Sequence, residues 1–112
     1  ITSKERIESY LKAAELYART GKIDSSEEIF TRAARESNNE QKAKIILAKK
    51  NIYSQFSKEL EKSGKKAKAL KFYEKLIKMN LDPLEKKLIK EKLVATYKSL
   101  GMFRKAKLTE SL

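Results

Sequence analysis

The chain has 112 residues, which suits one small domain with a single hydrophobic core and is short for two. It contains no Cys and no His, which excludes disulfides and the usual thiolate and imidazole metal ligands, so we expect neither a metal nor a cofactor. No apolar run approaches the roughly 20 residues of a membrane span, and the N-terminus lacks the apolar core of a signal peptide. We therefore expect a cytoplasmic protein without membrane contact.

The net charge of +12 is unevenly distributed along the chain. Residues 1–41 contain seven Lys or Arg and eight Asp or Glu, whereas residues 42–112 contain twenty and seven. An asymmetry of this kind indicates an acidic partner, either an acidic protein or RNA. A Lys-rich proteome or a thermophilic source would explain the same excess without any partner.

Three Gly and one Pro are the only strong breakers in a composition of good helix formers, which predicts an all-α fold. The first predicted helix covers residues 4–19, and its partner begins at Asp24, where the spacing of Asp24 and Glu27 predicts a capping box. The polar residues 37–39 end this second helix. Apolar residues at helical spacing predict the inward face of the first helix: Ile7, Tyr10, Ala13, Ala14 and Tyr17.

The next predicted helix is long, covering residues 40–62, and is followed by one over residues 66–79. Apolar residues of the long helix are Ala43, Ile46, Leu47, Tyr53, Phe56 and Leu60. Its first two turns overhang an ordinary two-helix unit, so Ile45, Ile46 and Leu47 are a candidate partner site; local packing against the preceding helix is the alternative. After residue 79, Asp82, Pro83 and Glu85 predict a helix start. The last two helices cover residues 84–100 and 103 to the C-terminus.

A repeat relates the three predicted hairpins. In each, a large apolar residue is followed by Gly after four positions and by a small residue after nine: Tyr17, Gly21 and Ser26; Leu60, Gly64 and Ala69; Tyr97, Gly101 and Ala106. Gly allows the left-handed backbone that ends many helices, and a small residue allows two helices to cross closely. An aromatic residue follows at Phe30 and Tyr73, whereas the third unit has Glu110 there.

These residues resemble the tetratricopeptide repeat, although the distances between glycines, 43 and 37 residues, exceed the family's period of about 34. The resemblance implies antiparallel helical hairpins stacked as an α-solenoid of about six helices. We expect a single domain over residues 1–112 with units at about 4–38, 40–80 and 83–112. The last unit is expected to be truncated, and its exposed end is a candidate surface for homo-oligomers.

The resemblance also implies a concave groove, lined by the first helix of each hairpin, that holds a protein or peptide partner. By periodicity the groove residues are Leu11, Glu15, Arg19, Asn51, Gln55, Lys58, Lys62, Leu88 and Lys92, together with Glu8, Ser54, Glu91 and Ala95. Chaperone-binding members grip a C-terminal carboxylate with Lys, Asn and Arg side chains. Leu11, Glu15 and Leu88 stand at three of those positions, so we do not expect that ligand. Ordinary solvated positions are the alternative for each residue.

The second helix of the middle unit carries a basic stripe at three- and four-residue spacing: Lys68, Lys71, Lys75 and Lys78. A stripe of this kind can neutralise phosphates, which makes an RNA-contacting module the alternative function. Glu74 is able to pair with Lys78, and no adjacent aromatic set is available to stack on bases. Without His, paired carboxylates or a phosphate-binding loop, we expect no enzymatic activity. The sequence therefore favours a protein-binding scaffold or adaptor within a larger assembly.

Overall fold

A computed structural model describes residues 2–112, which form six helices and no strand. The described part therefore confirms the all-α prediction. The six helices pair into three consecutive hairpins, each with a short connection. Their bounds are α1 Ser3–Arg19, α2 Ile23–Arg35, α3 Asn39–Lys62, α4 Lys66–Ile77, α5 Pro83–Ser99 and α6 Phe103–Glu110.

Each hairpin turns at one of the three glycines, as the sequence predicted. Gly21, Gly64 and Gly101 have φ values of 80°, 75° and 74°, which L-residues with a side chain rarely adopt. At the first turn the Gly21 N–H donates to the Ala18 carbonyl and the next N–H donates to the Tyr17 carbonyl. The same pair of bonds recurs at the other two glycines, so all three helices end in a Schellman motif. The large apolar residue four positions before each glycine supplies the accepting carbonyl.

The helix starts confirm one predicted cap and overturn another. Asp82 accepts from the Glu85 N–H at 2.8 Å and Glu85 accepts from the Asp82 N–H at 3.2 Å, which completes the predicted capping box of α5. The predicted box at Asp24 is wrong, because α2 begins at Ile23 and Asp24 lies inside its first turn. Ile23 is buried in the first turn, so α2 begins two residues earlier than the side-chain spacing indicates.

The chain divides into two compact units, one ending at Tyr53 and one covering Ser54–Leu112, with the boundary inside α3. In the first unit, the small residue Ser26 crosses α1 so closely that its hydroxyl donates to the Ala14 carbonyl at 2.8 Å. Phe30 and Tyr53 pack edge to face with ring centroids 5.8 Å apart. The apolar core of this unit is Ile7, Ala14, Ala18, Ile23, Phe30, Ala33, Ile45 and Tyr53.

The second unit has its own core between the end of α3 and the helices α4, α5 and α6. The small residues Ala69 and Ala106 are buried in it, as predicted for close helix crossings. Thr96 is also buried and donates its hydroxyl to the Lys92 carbonyl, one turn earlier, at 2.7 Å. The apolar core residues are Phe56, Ala69, Leu70, Phe72, Tyr73, Leu76, Leu93, Tyr97 and Ala106.

One expected partner residue and one expected inward-facing residue are wrong. On α3, Ile45 is buried at 3% exposure, whereas Ile46 and Leu47 are 55% and 54% exposed. Ile45 is therefore removed from the predicted partner site, whereas Ile46 and Leu47 are accessible. Tyr17 is also exposed, although its counterpart Tyr97 is buried. The hydroxyl of Tyr97 donates to Glu74 on the preceding helix α4 at 2.7 Å.

No helix among the described residues has both the length and the apolar character needed to cross a membrane.

Candidate functional site

In the first unit, the predicted groove residue Leu11 lines a cavity of about 270 Å³ between α1 and the start of α3. Ile7 and Glu8 contribute from the same helix, and Glu40 and Lys44 contribute from α3. The cavity lies beside Asn38 and Gln41, which exchange two hydrogen bonds of 2.8 and 3.0 Å and hold the first turn of α3 in place. This part of the predicted site is therefore concave, with an apolar floor and charges of both signs at its rim.

The other predicted residues of the first unit are polar and lie at the surface. Glu15 forms an exposed ion pair with Arg19 one turn later along α1, at 3.6 Å. Asn51 is exposed on α3. The structure leaves all three accessible to a partner, and none of the three lines the cavity beside Leu11.

In the second unit, the predicted residues lie on α3 and α5. Gln55 donates to Glu59 at 3.3 Å, one turn further along α3, and Lys58 and Lys62 are exposed on the same helix. Leu88 is 52% exposed on α5. These four residues are accessible at the surface of their own unit, and the assignment of a partner to them remains a prediction.

Lys92, the last predicted groove residue, belongs to a polar cluster that ties α5 to α3. Its ammonium group contacts both carboxylate oxygens of Glu61 at 3.2 Å, and the hydroxyl of Tyr73 donates to the same carboxylate at 2.6 Å. The hydrogen bond from Tyr73, followed by the contact with Lys92, lowers the pKa of Glu61 below 4.5, against the opposing effect of burial. Burial, followed by the bond to Glu61, raises the pKa of Tyr73. Lys92 therefore has a structural partner already, which reduces the charge that it offers to a ligand.

A similar cluster in the first unit explains the failed helix cap. Glu27 accepts from the hydroxyl of Tyr53 at 2.7 Å and pairs with Lys49 at 2.9 Å. The same ammonium group lies over the rings of Phe30 and Tyr53, 5.9 and 5.7 Å from their centroids. Burial, followed by the bond to Glu27, raises the pKa of Tyr53 well above its ordinary value of 10.0. Glu27, which the sequence predicted in a capping box at the start of α2, instead binds side chains of α3.

In the first two hairpins the exposed large apolar residues lie on the first helix and not on the second. Within residues 2–112, α2 and α4 expose no large apolar side chain, whereas α1, α3 and α5 each expose two, as does the last helix α6 with Phe103 and Leu108. Sequence reasoning identified only one of the six on α1, α3 and α5 as a groove residue, Leu88, although Leu84 lies one turn before it. The set is Leu16, Tyr17, Ile46, Leu47, Leu84 and Leu88, which we call the first-helix apolar residues.

A second cavity, of about 480 Å³, lies between α5 and α6. Val94 and Ala95 form its apolar part, Lys87 and Lys90 lie at one side, and Glu91 completes the α5 contribution. Glu91 and Ala95 were predicted from periodicity. At the other side, Lys98 pairs with Glu110 at 3.2 Å. The carboxylate that replaces an aromatic residue in the third unit therefore lies at the surface and neutralises a lysine.

The basic stripe is present on α4 and at its end. Lys68 and Lys71 are exposed, Lys75 is half-buried, and Lys78 caps the helix C-terminus. The ion pair that Glu74 was able to form with Lys78 is not formed, because Glu74 accepts from the hydroxyl of Tyr97 at 2.7 Å. None of the ion pairs found within residues 2–112 includes a lysine of the stripe.

Comparison with known proteins gives one match. A family model described as the tetratricopeptide repeat matches residues 7–40 and 51–83, which together make up more than half of the chain. The two matched segments begin on α1 and α3, and each contains a turn glycine and the second helix that follows it. Neither a curated protein nor a solved structure matches the chain.

Proposed function

We infer the function from family membership: this chain belongs to the tetratricopeptide repeat family, whose repeats generally mediate protein–protein interactions. We propose that it is a scaffold or adaptor that binds an acidic protein or peptide as part of a larger assembly. The proposed contact residues are the first-helix apolar residues together with the exposed polar residues beside them, among them Asn51, Gln55, Lys58 and Lys62. Each unit presents its own part of this surface.

The observation that carries the proposal is the unequal exposure of apolar side chains. A protein interface needs apolar anchors that become fully buried at its centre, with polar residues at the rim. The first helices expose such anchors in both units, Leu47 in the first and Leu88 in the second, whereas α2 and α4 expose none among the described residues. The division holds for the first two hairpins; in the third, the second helix α6 also exposes two large apolar residues, Phe103 and Leu108.

An acidic partner is favoured by charge. The second unit contains sixteen Lys or Arg and seven Asp or Glu, and the cavity beside α5 has three lysines among its lining residues. Opposite charge increases the rate of association and discriminates against basic competitors. We expect the preferred ligand to combine apolar residues with flanking Asp or Glu.

The proposal is tested by selecting peptides from a phage-displayed random library on the immobilised chain. We expect enrichment of Asp and Glu beside Leu, Phe or Ile, and dissociation constants in the micromolar range by fluorescence polarisation. Substitution Leu88→Ala removes half-exposed apolar area that a ligand would bury. We expect it to weaken binding by about 5- to 30-fold, which corresponds to roughly 1–2 kcal/mol.

Leu108 provides the matched control, because it is an equally large side chain, 63% exposed, on the second helix α6. Leu108→Ala should leave the affinity unchanged within about twofold. Equal weakening by the two substitutions, or a selection that yields no peptide whose binding depends on Leu88, would refute the assignment to the first helices.

The family is typically a non-catalytic scaffold, and we extend that statement to this chain as part of the proposal. Within residues 2–112 no three Asp or Glu side chains are grouped so that they could hold a metal ion, and the proposed function uses none. A cytoplasmic location is likewise part of the proposal.

A further inference from the structure

The lysines of α4 form a surface that the proposed function does not use. Lys68, Lys71, Lys75 and Lys78, which we call the α4 lysine row, succeed one another at steps of three, four and three residues. At 1.5 Å per residue the row is about 15 Å long and follows one side of the helix. Three of its members are exposed and the fourth is half-buried.

Within the described part of the chain, the row forms no ion pair with Glu74 on the same helix or with Glu61 at the end of the preceding helix. Glu74 is the only acidic residue in α4, and it is directed to the hydroxyl of Tyr97. Glu61, at the end of the preceding helix, is held by Tyr73 and Lys92. Four like charges along one face, in a unit whose net charge is +9, produce a positive potential that attracts anions.

The row lacks the features of a protein or membrane contact. The large apolar residues Leu70, Phe72, Tyr73 and Leu76 of α4 are all buried, so no anchor accompanies the lysines. Protein interfaces have apolar residues at their centre, and helices that lie on membranes insert an apolar face between lipids. A surface that is cationic without anchors fits an extended polyanion, which gains affinity from the release of counterions alone.

We propose that the α4 lysine row binds the phosphodiester backbone of a nucleic acid, independently of the first-helix surface. Binding of this kind positions the strand without reading its sequence, since sequence is read by contacts to base edges. Base stacking is also absent, because Phe72 and Tyr73 are buried and α4 offers no exposed aromatic ring. The row should therefore bind RNA and DNA strands of equal length with equal affinity.

The experiment measures binding of fluorescent 12-nucleotide oligo(U) and oligo(dT) to the full chain between about 50 and 200 mM salt. For a single strand the logarithm of the affinity changes with the logarithm of salt by about −0.7 per neutralised phosphate, so four lysines give a slope of about −2.8. The affinity should then fall about 50-fold over this range. In Lys71→Gln/Lys75→Gln the slope should decrease in magnitude by about 1.4, and the fall should be about 7-fold.

The matched control is Lys105→Gln/Lys107→Gln, which removes the same charge from exposed positions of α6 in the same unit. Its slope should stay within about 0.3 of the unmodified chain. As a second measurement, bound oligo(U) should protect Lys71 and Lys75 of the unmodified chain from acetylation and leave Lys105 reactive. This measurement needs no variant, so it decides the question even if a substitution alters folding.

Three results would overturn the proposal. Equal loss of slope in both double variants would assign the binding to net charge and not to the row. A preference of more than about tenfold for one of the two oligonucleotides would indicate recognition of bases or of the 2′-hydroxyl. Binding to phosphatidylserine vesicles that depends on Lys71 and Lys75, with no binding to either oligonucleotide, would assign the row to a membrane surface.

Discussion

Replacing two adjacent isoleucines with alanine tests the packing of the long helix α3 directly. Ile45 is 3% exposed in the first unit, and its neighbour Ile46 is 55% exposed. Ile→Ala deletes three carbon groups, each worth about 0.8 kcal/mol when buried, and a cavity left behind adds to this loss. For Ile45→Ala we expect a destabilisation of about 3 kcal/mol.

For Ile46→Ala the expected cost is below about 1 kcal/mol, because half of the side chain is in water already and Ala has the higher helix propensity. The two variants have the same composition, which makes each the control of the other. Thermal unfolding followed by circular dichroism at 222 nm is the assay. With an unfolding entropy of about 2.1 cal/mol/K per residue, Ile45→Ala should lower Tm by about 13 °C and Ile46→Ala by less than about 4 °C.

A larger fall of Tm in Ile46→Ala than in Ile45→Ala would show that α3 is rotated by about one residue, because neighbouring residues are about 100° apart around a helix. Equal and large effects would show that Ile46 is also buried. The latter result would further remove Ile46 from the first-helix apolar residues and weaken the proposed interaction surface.

Two further predictions concern the helix start of α5 and the cluster around Glu61. Asp82→Ala should lower the free energy of unfolding by about 1 kcal/mol, because Asp82 caps α5. Asp24→Ala should change it by less than about 0.5 kcal/mol, because Asp24 caps no helix. Urea unfolding of the two variants measures both values. The folded-state pKa of Glu61 lies below its ordinary value of 4.5, so the native chain binds fewer protons than the unfolded chain as the pH falls. The stabilisation by Glu61 is therefore fully present above pH 4.5 and is lost as the pH falls through the lowered pKa of the folded state. Glu61→Gln should therefore destabilise the chain near neutral pH and lose this difference in urea unfolding between about pH 5 and pH 3; a difference that persists unchanged in acid would contradict the assigned role.

The two proposed surfaces bind their ligands through different interactions. The first-helix surface relies on apolar burial, so its affinity should tolerate salt, whereas the α4 lysine row relies on charge and should not. A selected peptide whose binding depends on Leu88 and an oligonucleotide bound at Lys71 should therefore bind to the chain at the same time. Competition between them would show that the two surfaces overlap.

Local sequence was sufficient for the helices and for most of their ends, the start of α2 being the exception. The glycines at 21, 64 and 101 determine three turns because a left-handed backbone is disfavoured for residues with a side chain. The capping box at Asp82 is equally local, since both partners lie within four residues. Small residues such as Ala69 marked the helix crossings because no large side chain fits there.

Tertiary packing determined which of several equivalent residues faces inward and which partner a polar side chain takes. Periodicity fits Ile45 and Ile46 nearly as well, and only the packing of the folded chain buries the first and exposes the second. Glu27 has the spacing of a helix cap, yet it is held by Tyr53 and Lys49, which are 26 and 22 residues away in sequence. Such partners are brought within reach by the folded chain alone, because the free energy of a long-range contact depends on the packing of whole helices and not on the residues beside it.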